Sequence, residues 1–353
     1  MLCWAILFAQ PLHAQTALVL NGVKDRVIDG GTYSSVSISN SMNVTIRNAT
    51  VTRSSVGEVV SIWASRAITI ENSDIQGNGV ACSGVNIGGN SGNVILRGNR
   101  IHNIADDGIQ AHVAHDLLIE GNAIYTLVGI GTDSGGFCYN GHSDGIELFT
   151  IQNAQIRTNL IYDVRSTSAL FFGNTAKGPA GYNRNILIEN NIFSTPEAGF
   201  VAYLYQADGV KLYNNTMWWG TYGGLAMGDN VYNLEAVNNV FHSINYGHTK
   251  TPYLSGHHTF RNTLIGTTLG QATPSAILSS SGNFVQSDPR FANIPSIGES
   301  EAATSYRHGS GSNLRFSAAD FMPFVTSPLV DRGLVAAGLP VVDFRGVSRP
   351  QGS

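Results

Sequence analysis

Two short runs carry the side chains that could do chemistry: Asp106-Asp107-Gly108-Ile109-Gln110-Ala111-His112 and Gly141-His142-Ser143-Asp144-Gly145-Ile146-Glu147-Leu148-Phe149. In each, an Asp-Gly turn precedes an alternating segment. An extended chain sends Ile109 and Ala111, or Ile146 and Leu148, to one side, and Gln110 and His112, or Glu147 and Phe149, to the other. Acids, histidines and an aromatic ring therefore share one strip. Carboxylates held about 5 Å apart repel unless a cation sits between them or one keeps its proton.

Two chemistries follow from that strip. In the first, Ca²⁺ held by some of Asp106, Asp107, Asp144 and Glu147 binds a uronic acid carboxylate, and a base removes the neighbouring C5 proton so that the glycosidic bond breaks by β-elimination. The candidate bases are His142, Lys177 and Arg165, with His112 a further one. In the second, the acids, Asp144 among them, serve as general acid and as general base or nucleophile of a glycoside hydrolase. Returning the abstracted proton to the opposite sugar face gives a third outcome, C5 epimerisation. Against all three stands the plainer role of Asp-Gly as a turn signal whose aspartate bonds the backbone.

The elements that must position these residues come from a repeat. The segments Asn43-Val-Thr-Ile-Arg-Asn48, Ala67-Ile-Thr-Ile-Glu-Asn72, Asp116-Leu-Leu-Ile-Glu-Gly121-Asn122 and Asn185-Ile-Leu-Ile-Glu-Asn190-Asn191 are versions of one another. Their equivalent aliphatic positions are Ile46, Ile70, Leu96, Ile119, Ile156, Ile188, Leu212, Ala236 and Phe260, with gaps of 24, 26, 23, 37, 32, 24, 24 and 24 residues. One such unit cannot cover its own apolar side chains, whereas stacked units bury a continuous column. Three short strands per unit predict an all-β, right-handed parallel β-helix of roughly nine to ten coils, about 4.8 Å apart. Asn at the corner tolerates a left-handed backbone and bonds its stacked neighbours. A β-propeller or an antiparallel sandwich would require tight hairpins between matched strands, which a single aliphatic column argues against.

On these residues the chain resembles the pectate-lyase-like parallel β-helix superfamily over about residues 18 to 268, with its asparagine ladder at the same corner. The resemblance implies an active site on the third strand type and its bordering loops, as in the secreted polysaccharide-degrading members. Asp106-Asp107-Gly108 looks like the calcium-binding segment of one group of pectate lyases, in which a lysine is the base; here Gln110 stands where a further acid is expected. The Gly-His-Gly and Arg-Ile-Lys signatures of the polygalacturonases are absent.

The repeat is interrupted by insertions at Thr126 to Asn140 and Gly173 to Arg184, adjacent to the chemical strip. They are expected to wall off one groove from opposite edges of the sheet. The outward column across that sheet reads Ser61, Asn86, Gln110, Glu147, Phe171, Val201 and Ala226, flanked by His112, Phe149 and Tyr203. Asn86, Gln110, His112, Glu147, Phe149, Phe171 and Tyr203 are thus the expected sugar contacts, polar at one end and aromatic at the other.

Residues 1–14 read as a secretory signal peptide cut after Ala14, with a buried first strand or capping helix as the alternative. Residues 15–268 form the expected β-helix, and residues 269–353 a capping segment over the open last coil. Without the leader, Cys82 and Cys138 remain as a disulfide or as two free thiols. A net charge of -4 offers no basic field for nucleic acid, and no other stretch is apolar for long enough to span a membrane. His257-His258 lacks a third partner at zinc-ligand spacing. The reading is a secreted or periplasmic monomer, a Ca²⁺-assisted lyase of a pectate- or alginate-like polymer. A β-helix hydrolase, an epimerase and a non-catalytic polysaccharide-binding adhesin are its rivals.

Overall fold

A computed structural model describes residues 15–129, 138, 142–175, 179–195, 199–220, 223–246, 258–266, 282–285, 287–291, 318–329, 332–334 and 336–349. The leader reading of residues 1–14 and the base assigned to Lys177 lie outside them. Every strand pairing is parallel, and the strands join into one continuous coil of three sheets. The fold is the right-handed parallel β-helix. Among the described residues there is no α-helix, so none long and apolar enough to cross a membrane.

The first sheet carries the aliphatic column in the expected register, Ile46 against Ile70, Leu96, Ile119, Ile156, Ile188, Leu212, Ala236 and Phe260 in turn. It begins one coil earlier than the repeat suggested, because Ile28 pairs with Ile46. These side chains fill a core in which Ile119, Ile156 and Ile188 are fully buried. Burial of an aliphatic side chain of this size stabilises by about 1.5–3 kcal/mol. At the outer edge of the same sheet runs an alternating charge column. Arg47 pairs with Asp29 at 2.7 Å, and Glu120 with Arg97 at 2.9 Å and with Arg157 at 2.7 Å.

The corner after the first sheet explains the paired Asn signal. The leading residue of each pair adopts the left-handed backbone, at Asn190 (φ 55), Asn214 (φ 56) and Asn238 (φ 58). The following residue points inward and forms the ladder. Asn159 Nδ2 donates to Asn191 Oδ1 at 3.0 Å and to the Ile119 carbonyl at 2.8 Å, while Asn159 Oδ1 accepts the Asn122 backbone N–H at 2.9 Å. The ladder continues to Asn283, and strand Phe284–Val285 pairs onto Leu264–Ile265. The coils therefore run past residue 268.

The C-terminal segment departs from expectation. Its described parts lie along the side of the coil. Asn190 Nδ2 donates to the Val342 carbonyl, Asn238 to that of Leu334 and Asn262 to that of Arg332. Phe291 and Phe321 pack with Tyr162, Ile192, Trp218, Val240 and Leu264 on the outer face of the second sheet. Left-handed asparagines turn their amides outward, and an extended chain alongside satisfies them.

The third sheet positions the chemistry. Strands Asp107–Glu120 and Asp144–Arg157 each run 14 residues from the third sheet of one coil into the first sheet of the next. They bend at Val113 (φ 50) and Thr150 (φ 59).

Candidate functional site

Asp107 and Asp144 open the two long strands, and their glycines are not turn residues. Neither Gly108 nor Gly145 has a positive φ. A Cβ on Gly108 would meet the Gly145 carbonyl oxygen at 2.6 Å, and one on Gly145 would run into Ala169. Glycine stands there because adjacent coils approach so closely, which carries the two aspartates onto neighbouring coils of one sheet.

Four acids meet at that point. Asp106, Asp107, Asp144 and Glu147 are respectively 3%, 1%, 0% and 6% exposed. Asp107 is committed on both oxygens. Oδ1 accepts the Asp144 backbone N–H at 2.9 Å, and Oδ2 accepts the Gln110 amide at 2.9 Å. Gln110 also donates to Glu147 Oε2 at 2.7 Å, and its own oxygen accepts Asn86 Nδ2 at 2.7 Å.

His142 Nδ1 lies 2.9 Å from Asp144 Oδ2 and 4.0 Å from Glu147 Oε1, while His112 Nε2 lies 3.9 Å from Glu147 Oε2. The buried Asp144 carboxylate is engaged by His142 and by the Ser168 backbone N–H, while Asp106 Oδ1 is buried with no hydrogen-bond donor among the described residues.

Burial dominates the electrostatics. Desolvation, followed by repulsion from Glu147 and Asp144, pushes Asp106 up to about 7. Desolvation also raises Asp144 to about 7 against the opposing pull of His142, and raises Asp107 well above the usual carboxylate range. The bond to Asp144 raises His142 in turn. His142, Asp144 and Glu147 each offer one ligand atom, all within 4.8 Å of one another. Carboxylate oxygens in so small a volume fit a divalent cation. Asp107 already accepts one hydrogen bond on each oxygen, and Asp106 lies in electrostatic range of Glu147 and Asp144 beside this group.

The outward column differs from expectation at one coil. Ser61, Asn86, Gln110, Glu147 and Phe171 pair in that order, but Phe171 pairs with Tyr203, and Tyr203 with Ala226. Val201, two residues earlier on the face it shares with Tyr203, is fully buried, so Tyr203 takes its place in the column. His112 pairs with Phe149, as expected of the flanking column, and their rings are 4.5 Å apart. Phe171 stacks on Tyr203 at 5.4 Å and meets His142 edge-on at 5.0 Å. Arg165 is held by Asp163, with Nε 2.9 Å from Oδ1.

Of the two insertions, described residues tie each to the coil. Cys138 forms a disulfide with Cys82, next to strand Ser83–Gly88, and Thr175 Oγ1 lies 2.7 Å from Thr150 Oγ1. Sequence reasoning missed Glu58. Burial raises its carboxyl, and its charge acts on both Asp106 and His112. Its signal was faint: an acid two residues before Val60, which through Val85 and Ile109 matches the place of Asp107.

Residues 20–141 match the family described as "Right handed beta helix region". No curated protein matches the sequence. Among solved structures, the chain is similar to PfbA, a surface adhesin of Streptococcus pneumoniae, at 13% identity and a TM-score of 0.45, covering 70% of this chain and 62% of that one. It thus spans about six-tenths of the adhesin's length. A tailspike protein of E. coli bacteriophage HK620 is similar at 11% identity and a TM-score of 0.48, with 78% of this chain and 57% of that one covered. A pectate lyase from Xanthomonas campestris is similar at 14% identity and a TM-score of 0.44, with 80% and 82% covered. The stacked parallel rungs and the asparagine ladder make the fold a right-handed parallel β-helix, and residues 20–141 match the family of that description.

Proposed function

We propose that the chain is an extracellular carbohydrate-active enzyme that cleaves a uronate-containing polysaccharide by β-elimination. The observation that carries this reading is the wholly buried Asp144 carboxylate at the start of its third-sheet strand, 2.9 Å from His142 and in electrostatic range of Glu147 and Asp106. Several acids buried together cost several kcal/mol each unless protons or a cation compensate them. A structural corner requires no such arrangement. The Cys82–Cys138 disulfide supports an oxidising compartment.

His142 is the base. Asp144 engages Nδ1, which leaves Nε2 to take the C5 proton of a uronate unit, while the pair fixes the ring and stabilises its charge. The electron pair released at C5 forms the C4–C5 double bond as the C4–O4 bond breaks. Asp106, raised to about 7 and so still partly protonated near neutral pH, gives its proton to the leaving oxygen. A divalent cation such as Ca²⁺, which Asp144 and Glu147 would hold, would supply neutralisation of the uronate carboxylate. Gln110 holds Glu147 and Asp107 apart by donating to both.

A second reading draws on the same raised acids. Asp106 and Asp144, each at about 7, suit the general acid of a glycoside hydrolase. Purified protein incubated with polygalacturonate and alginate, with and without Ca²⁺, separates the two. Elimination produces an unsaturated uronate that absorbs in the near ultraviolet. Reducing ends appearing without that absorbance identify hydrolysis and overturn the lyase reading.

A further inference from the structure

The strands that build the groove carry no cation. Thr32–Ser39, Val60–Trp63, Ser83–Gly88, the openings of Asp107–Glu120 and Asp144–Arg157, Ser168–Gly173, Phe200–Leu204 and Gly223–Met227 contain neither Lys nor Arg on the third sheet. A homopolymer of uronates presents one carboxylate per sugar, and each carboxylate leaving water needs a partner. The acid cluster with its cation can serve one of them. The other described sugar-facing side chains are uncharged polar groups such as Ser61 and Asn86, His112, and aromatic rings.

Trp63 is the residue that makes this surface two-sided. Its side chain is exposed, at 54%, among strands whose apolar residues otherwise point inward. The indole lies flat on the backbone of the next coil. A Cβ added at Gly89 would fall 2.7 Å from Trp63 Cε2, and one at Gly88 would run into the same ring. One face of the ring thus rests on glycine and the other is open, which is the geometry an apolar pyranose face stacks on.

Register then places it. Trp63 pairs with Gly88, the residue after Ile87; Ile87 pairs with Ala111, the residue before His112. Trp63 therefore lies two strand spacings, about 10 Å, from His112 along the coil axis. Beyond the acids, Phe171 and Tyr203 stack at 5.4 Å with an interplanar angle of 13°, and Tyr205 extends the series 6.3 Å farther. All three rings are half-buried.

We propose that the groove takes a glycan in which neutral pyranoses flank a single acidic unit. Trp63 stacks one neutral sugar on one side of the carboxylate cluster, and the edges of the Phe171–Tyr203 ladder contact the apolar face of another on the other side. The proposal rests on the uronate-cleaving reading for its central unit, and it replaces a uniform polyuronate with a mixed heteropolysaccharide as substrate.

The test is calorimetric titration of the full chain with neutral gluco-, manno- and xylo-oligosaccharides and with oligogalacturonate and oligoalginate, at low and high salt. Stacking predicts that at least one neutral series binds with little salt dependence. Trp63→Ala and Tyr203→Ala should each weaken it about threefold to tenfold, and Trp63→Phe should restore most of the loss. The lyase reading is scored separately, by unsaturated product. Neutral binding without any unsaturated product sinks the lyase reading and leaves this one standing. Turnover of a homopolyuronate that is unchanged in kcat and KM by Trp63→Ala does the reverse. Absence of neutral binding at millimolar ligand also overturns the proposal.

Discussion

Asp107 Oδ1 accepts the backbone N–H of Asp144 at 2.9 Å, so the acid of one coil holds the first strand residue of the next. The two aspartates are therefore unequal despite their matching sequence contexts. Asp107 has its oxygens taken by the Asp144 N–H and the Gln110 amide, whereas Asp144, beside the Ser168 N–H, has His142 as its side-chain partner.

That inequality separates the two variants. Asp107→Ala orphans a buried N–H and should cost about 1–3 kcal/mol in chemical denaturation. Asp144→Asn removes a buried charge and should leave the denaturation midpoint equal or higher, yet lower kcat on the cleaved polymer by about 100-fold or more. Equal stability losses in both variants would mean that Asp144 too is a fastening residue.

The pH dependence has a definite sign. Asp106 and Asp144 are raised to about 7, so their stabilising contribution is complete below the unfolded carboxylate value and is lost as pH climbs through about 7; Asp107, raised well above its usual range, acts in the same direction. His142 is raised as well, and its contribution is likewise lost as pH rises through the raised value. With chelator present, thermal unfolding should occur at lower temperature at pH 8 than at pH 5. Added Ca²⁺ should raise the midpoint more at pH 8 than at pH 5. A chelated protein equally stable at both values contradicts the burial of these acids.

Turnover should follow a bell in pH. His142 acts as base only above its raised pKa, while Asp106 donates only below about 7, so the two limbs crowd together and peak activity is modest in fraction. In Asp106→Asn the alkaline limb should disappear from kcat/KM, with folding verified by circular dichroism.

The Cys82–Cys138 bridge closes a separation of 56 residues, which removes about 4 kcal/mol of denatured-chain entropy. Cys138 stands four residues before His142, so the bridge also fixes where the insertion re-enters the site. Cys138→Ser should lower the unfolding midpoint and, under conditions where the protein is still folded, lower kcat. A variant that loses stability alone would restrict the bridge to a scaffold role.

Asn159→Ala removes an amide that joins three coils, and leaves the Asn122 N–H and the Ile119 carbonyl unsatisfied inside the core. A loss of about 2–4 kcal/mol in denaturation follows from two such groups. The exposed Arg47–Asp29 pair is the internal control. Arg47→Ala should cost under about 1 kcal/mol, and less still at high salt.

By itself the sequence determined the coil. A side chain that recurs on one face every 24 residues has to be stacked, and Ile46 through Phe260 pair in the register that spacing demands. It also brought Asp106, Asp107, Asp144, Glu147, Gln110 and His112 to one place, because equivalent positions on adjacent coils become neighbours about 4.8 Å apart. Only the tertiary structure decided what each does there. That Asp107 accepts the Asp144 N–H while Asp144 has His142 as its side-chain partner, that Arg165 turns to Asp163, and that Trp63 lies open on Gly88 depend on hydrogen-bond direction, side-chain rotation and close backbone approach. Periodicity fixes which positions are neighbours; orientation and desolvation arise only when the coils pack.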